Sequence, residues 1–158
     1  NIGRFLLGRD GRVWELSRLW APDGHARDLL TRAIGRCAHT LNAIERPEIL
    51  VSYADPNVGH EGFVYRAASW IYDGRCEESR AYRREDGSTT ARRPFHSGET
   101  GKRKSEIEKL GWFEIHVPGK HRFVRPLRKA AMRDYRRQRA GRSETRTSAL
   151  HVESRLNP

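Results

Sequence analysis

The sequence predicts a mixed α/β layer fold, with a central, mostly antiparallel sheet and flanking helices. Three observations carry this. Apolar residues alternate at period two near both ends of the chain. One long stretch instead repeats Leu30, Ala33, Ile34, Cys37, Leu41 and Ile44 at helical spacing. Between these patterns, Ile49-Leu50-Val51 reads as a buried strand that breaks into a polar turn and then a second helical pattern. Such interleaving excludes a helical bundle and a β-sandwich.

The elements follow in order. Ile2–Leu7 and Arg12–Trp20 read as strands joined at Arg9-Asp10-Gly11, since Asp-Gly between apolar runs signals a hairpin. Ala21-Pro22-Asp23-Gly24 ends the second run. An amphipathic helix spans about His25–Ala43 and stops at Arg46-Pro47. A strand over Glu48–Tyr53, a helix near Glu61–Ser69 with Phe63, Ala67 and Trp70 on one face, and a short strand at Trp70–Tyr72 come next. Residues 76–104 form a charged insert in which Ala81–Arg84 leads as a strand into the Asp86-Gly87 turn. Ser105 caps a short helix with Glu108 completing a capping box. Phe113–Val117 alternates as a strand, and His121–Val124 is expected to pair back on it across Pro118-Gly119. Residues 1–126 read as one domain. Residues 127–158 read as a basic helix and a flexible tail, disordered from about Ser143.

The bulk properties narrow the partners. The 158 residues suit one core. A net charge of +11, carried mainly by Arg, predicts a polyanionic partner such as nucleic acid, an anionic membrane or a phosphorylated cofactor. The plainer alternative is a soluble, Arg-rich protein. Cys37 and Cys76 form no C-x-x-C pair, which argues against a zinc ribbon or redox motif and for two inert or buried thiols. No run is long enough for a membrane span and no signal peptide is visible. The chain opens on Asn1 almost within a strand pattern, so an N-terminal piece is expected to be lacking and the sheet to be incomplete.

The chemistry concentrates in Ser52–Trp70. A strand that stops at a polar turn and becomes a helix is where α/β folds place reactive groups. Ser52, Asp55, His60 and Tyr65 lie in or beside that turn. Asp55 precedes Pro56 and is either a general base or cation ligand, or the cap of an Asx-turn. Tyr65 is a general acid or a core tyrosine, and His60 a proton shuttle or an ordinary loop histidine. Upstream, Arg18 alternates with Leu16 and Trp14, which suggests a guanidinium aimed at a carboxylate or phosphate rather than a snorkelling edge residue.

Basic residues form two groups. Arg92, Arg93, Lys102, Arg103 and Lys104 belong to a loop, and Arg128, Lys129, Arg133, Arg136 and Arg137 to the C-terminal run. Both suit contact with a nucleic-acid backbone. Ser97–Lys102 lacks the spacing of a phosphate-binding P-loop. His96, His116 and His121 have no metal-ligand spacing.

The blocks E-L-S-R-L-W (Glu15–Trp20) and V-S-Y-A-D-P-N-V-G-H-E-G-F-V-Y-R-A-A-S-W-I-Y-D-G (Val51–Gly74) resemble the Mom family of bacteriophage DNA-modification proteins. The resemblance covers about residues 12–74 well and the closing region weakly. It implies a fold similar to the GNAT acyltransferases. It implies conversion of the adenine N6 amino group in double-stranded DNA to a carbamoylmethyl form, protecting phage DNA from restriction in the host cytoplasm. The family's Arg, Asp and Tyr fall on Arg18, Asp55 and Tyr65, with Ser52 orienting them. Ser17, Gly24 and His60 are the implied cofactor contacts, and Asp55 and Tyr65 the implied metal ligands. The cofactor is iron, or acetyl-CoA or another acyl or aminoacyl donor, and the choice stays open, as does a homodimer. One departure stands out. GNAT enzymes cradle pyrophosphate on a Gly-rich loop, where this chain has Ala21-Pro22-Asp23-Gly24-His25-Ala26-Arg27, a poor anion nest. Two rival readings are an N-acyltransferase for another amine and a non-catalytic nucleic-acid-binding protein on such a scaffold.

Overall fold

Strand alternation sorts the apolar residues of the chain onto the two faces of one sheet. The computed structural model describes residues 1–91 and 104–156 of the backbone, so Arg92, Arg93, Lys102 and Arg103 lie outside the described residues. Strands β1 (Val13–Leu16), β2 (Ile49–Ala54), β3 (Ile71–Arg75) and β7 (His121–Pro126) form a four-stranded sheet in the order β1-β2-β7-β3. β1 and β2 are parallel, joined by helix α2 (Leu29–Ile44), and the other pairings are antiparallel. A second sheet of β4 (Ser79–Arg83), β5 (Thr89–Ala91) and β6 (Phe113–Val117) is antiparallel, in the order β5-β4-β6. This is an α+β fold.

One face of the larger sheet offers Ile49, Val51 and Val124 to helix α1 (Ile2–Leu7) and helix α5 (Lys129–Leu156). The latter meets the sheet through Ala131 and Tyr135, spaced i, i+4 as a helical stripe requires. The other face offers Leu50, Ala54 and Phe123 to α2 and to the short helix α3 (Phe63–Ala67). The sheet is therefore covered on both sides, and β2 is buried on both, which explains its unbroken apolar reading.

Four sequence expectations change. Ile2–Leu7 is a helix and not the first arm of a hairpin: the Asn1 side chain accepts the Gly3 N–H, Gly8 closes the helix at φ 71°, and Leu6 and Leu7 are buried. The Arg12–Trp20 strand shortens to Val13–Leu16. β6 and β7 do not pair with each other, because Gly119 carries the chain from one sheet to the other. A Cβ there would collide with the Cys76 carbonyl, and the Cys76 N–H bonds to the Lys120 carbonyl at 2.8 Å. The expected Glu61–Ser69 helix shortens to α3, preceded by a 3-10 turn over Pro56–Val58 in the expected turn, and α3 faces inward through Tyr65 and leaves Phe63 74% exposed.

Smaller shifts accompany these. Cys37 is exposed despite lying on the expected apolar stripe of α2. Helix α4 (Lys104–Lys109) already includes Ser105, which is thus no cap. The backbone is helical past Ser143 to Leu156. The hairpin about Asp86-Gly87 forms, with β4 and β5 as its arms.

Candidate functional site

The strand-turn-helix segment places its reactive groups on opposite faces of the sheet. Ser52 alternates with Leu50 and Ala54 and is fully buried on the α2/α3 side. Tyr65 arrives from α3 and sets its hydroxyl 2.8 Å from Ser52 Oγ, and Ser52 Oγ lies 2.7 Å from the Leu16 carbonyl. A carbonyl only accepts, so the serine proton goes to Leu16 and Tyr65 donates to Ser52. The chain Tyr65 → Ser52 → Leu16 ends at the last residue of β1, one step before Ser17-Arg18.

Asp55 follows the end of β2 in extended backbone, so alternation turns it to the side of Tyr53, away from Ser52 and Tyr65. Its Oδ1 accepts from the Asn57 N–H at 3.0 Å and from Asn57 Nδ2 at 2.8 Å, and Oδ2 lies 3.3 Å from Lys120 Nζ. Partial burial pushes its pKa up, but the Asn57 donors and Lys120 outweigh this and hold Asp55 below the usual carboxylate range. Both readings of Asp55 thus meet: it caps the 3-10 turn and is kept ionised.

The remaining candidates scatter. Ser17, Arg18, Gly24 and His60 are exposed, and among the described residues Arg18 has no ion pair. Lys104 heads α4. Arg128 reaches the Asn42 carbonyl at 3.4 Å, whereas Lys129, Arg133, Arg136 and Arg137 are exposed along α5, on the opposite layer from Tyr65.

A cluster that sequence reasoning missed lies beside the Ser52–Tyr65 pair. Tyr65, Phe123 and Tyr72 pack in a row, with centroids 5.3 and 5.4 Å apart, and His121 follows Tyr72 at 5.6 Å. His121 is 7% exposed. Its Nδ1 lies 3.0 Å from the Tyr72 hydroxyl and its Nε2 3.1 Å from the Glu61 carboxylate. Arg66 stands over the Tyr72 ring at 5.1 Å. The available signal was the segment itself: Glu61 lies inside it and Tyr72 just beyond its end, yet His121 joins them only through the pairing of β7 with β2 and β3.

The opposite face holds a second buried polar network. Asp73, an extra residue in a bulge of β3, has a fully buried carboxylate. It accepts from Arg122 Nε at 2.7 Å, Arg142 Nη2 at 2.7 Å and the Tyr135 hydroxyl at 2.8 Å. Phe5 lies between the two guanidiniums, at 4.2 and 4.3 Å.

The implied cofactors fit poorly. Among the described residues no three His, Cys, Asp or Glu side chains converge, and Asp55 and Tyr65 point to different faces, so they form no iron centre. The start of α2 presents Asp28, ion-paired with Arg32 at 3.2 Å, where a coenzyme pyrophosphate would need free N–H groups and no carboxylate. An apolar groove lined by Trp14, Leu16, Cys37, Leu41 and Trp70 lies between β1 and α2. No described helix is long and apolar enough to cross a membrane. No curated protein matches the chain. The model of the Mom protein family matches residues 8–142.

Proposed function

The chain belongs to the Mom protein family, a family of bacteriophage DNA-modification proteins, and on that premise we propose that it converts adenine N6 in double-stranded DNA to the carbamoylmethyl form and so protects phage DNA against restriction. The observation that carries this reading is the match over residues 8–142, which includes Arg18, Ser52, Asp55 and Tyr65 together. Arg18 binds an anionic group of the donor or of the DNA. Asp55, held as a carboxylate by Asn57 and Lys120, places a fixed negative charge at the turn. Tyr65 and Ser52, bonded to each other, fix the geometry of the site. The exposed Lys129, Arg133, Arg136 and Arg137 hold phosphates. The target base must leave the stack to reach groups set in a sheet, so base flipping accompanies the reaction.

The test is expression of the protein beside a plasmid in a bacterial host, then mass spectrometry of the plasmid nucleosides. Deoxyadenosine carrying a carbamoylmethyl group supports the reading. An unchanged adenosine profile from cells with abundant soluble protein overturns it.

A further inference from the structure

We propose that Tyr72, His121 and Glu61 form the proton relay of this enzyme, with Tyr72 as the group that takes the proton from the substrate amine. The inference rests on the DNA-adenine reading above and adds residues that reading does not contain.

The two hydroxyl chains on the α2/α3 face differ in where they lead. Tyr65 donates to Ser52, and Ser52 donates to a backbone carbonyl. That chain holds no base, and its Tyr65 and Ser52 are both buried, so it fixes geometry but cannot carry a proton away. Tyr72 sits one aromatic ring further along, across Phe123, and faces an imidazole. A carboxylate only accepts, so the Glu61 contact places the His121 proton on Nε2 and leaves Nδ1 free to accept from Tyr72. The result is a carboxylate–imidazole–hydroxyl series, the arrangement in which a base is oriented by one neighbour to activate another. Glu61 is half exposed, which gives the relay an outlet to water.

The surroundings suit the task. Arg66 lies over the Tyr72 ring at 5.1 Å. Arg75 Nη2 is 3.4 Å from His121 Nε2. Two donors cannot bond each other, so the shorter Glu61 contact sets the tautomer. Phe63 is 74% exposed, three residues before Arg66 on the same short helix. An uncovered aromatic ring and a guanidinium one turn apart offer a stacking surface and a phosphate contact for an extruded base.

The adenine N6 lone pair attacks the electrophilic methylene carbon of a carbamoylmethyl donor and a C–N bond forms. The donor's leaving group departs with its bonding pair. One N–H bond of N6 breaks and its proton goes to the Tyr72 oxygen, as the phenol proton passes to His121 Nδ1. The imidazolium is held by Glu61 and then loses its proton to water.

The test uses the full chain, duplex DNA and the donor present in a host lysate, with nucleoside mass spectrometry as readout. Tyr72→Phe, which keeps the ring packing, should lower the modification rate about 10²- to 10⁴-fold with DNA affinity unchanged. Glu61→Gln should lower it by at least about tenfold. His121→Gly should regain activity as imidazole is added, which a purely structural histidine would not. A Tyr72→Phe enzyme at wild-type rate overturns the relay while leaving the function standing. Wild-type protein that leaves adenine unmodified overturns the function instead. The relay then stands or falls on ¹⁵N NMR of His121: the Nε2–H tautomer, lost in Glu61→Ala, supports it, and the Nδ1–H tautomer refutes it.

Discussion

Asp73→Ala tests what binds the C-terminal helix to the sheet. The Asp73 carboxylate is fully buried and accepts from two guanidiniums and one phenol. Its partners differ in escape route. The Arg142 side chain is 26% exposed and can swing to water, but that of Arg122 is 12% exposed and is flanked by the Phe5 ring. Truncation therefore strands chiefly the Arg122 charge, and removing one partner of a buried pair costs about 3–5 kcal/mol. For a chain of this size that lowers the melting temperature by roughly 2–4 °C per kcal/mol, or on the order of 10 °C. Urea unfolding followed by circular dichroism gives the free energy directly, with the midpoint falling and the slope unchanged. The double variant Asp73→Ala/Arg122→Met should be more stable than Asp73→Ala alone, because the stranded charge is gone. A single variant within about 0.5 kcal/mol of wild type, or strictly additive effects in the double variant, would refute the reasoning. Tyr135 gives an independent check. Its pKa is raised, first by burial and then by the bond to Asp73. A raised folded-state value gives stability that is present below the unfolded value near 10 and lost as pH climbs through the folded one, so Tyr135→Phe should flatten the alkaline loss.

Two further perturbations address the site. Gly62 starts α3 at φ 75°, and a Cβ there would collide with the Phe123 ring. Gly62→Ala should cost about 2 kcal/mol or more and move the ring between Tyr65 and Tyr72, seen as a lower urea midpoint and altered aromatic NMR shifts; an unchanged midpoint would show the ring free to yield. Asn57→Ala removes one donor from Asp55. Asp55 has a depressed pKa, so its contribution is present above the unfolded value near 4 and lost as pH falls through the folded value. The variant should therefore acid-unfold at higher pH than wild type in a circular dichroism titration, and coincident curves would remove Asn57 from the account.

Parts of the fold were legible because their signals are local. The β2 run is apolar throughout because both of its faces are buried, and α2 shows its stripe over four turns. The Asp86-Gly87 hairpin needs only its own turn. The N-terminal helix was not legible: six residues give too few repeats to separate a helical period from a strand's, and what fixes it is the Asn1 cap and packing against α5. In the site, Ser52 and Tyr65 were singled out and do meet, but the face that Asp55 takes depends on the strand continuing one residue past Ala54. His121 was read as one arm of a hairpin. Its meaning comes from partners 49 and 60 positions away, Tyr72 on a neighbouring strand and Glu61 ahead of α3, which no periodicity connects.

The bulge in β3 joins the two polar networks. Tyr72 pairs with Phe123 and Gly74 with Arg122, so Asp73 is the extra residue between them. A regular strand would set Asp73 opposite Arg122 in the ladder. Consecutive strand residues face opposite sides, and the extra residue frees Asp73 from a ladder partner while Gly74 takes the place opposite Arg122. Tyr72 reaches His121 on the α2/α3 side, and Asp73 reaches Arg122, Arg142 and Tyr135 on the α5 side. Bulges recur where a strand must re-aim a side chain beside a reactive group. Here the buried ion cluster behind the strand fixes the backbone from which Tyr72 projects. The position of the Tyr72 hydroxyl is thus held from both sides: by Phe123 and His121 in front, and by a carboxylate with three donors behind. Variants at Asp73 are expected to act on stability first, and on Tyr72 through the bulge.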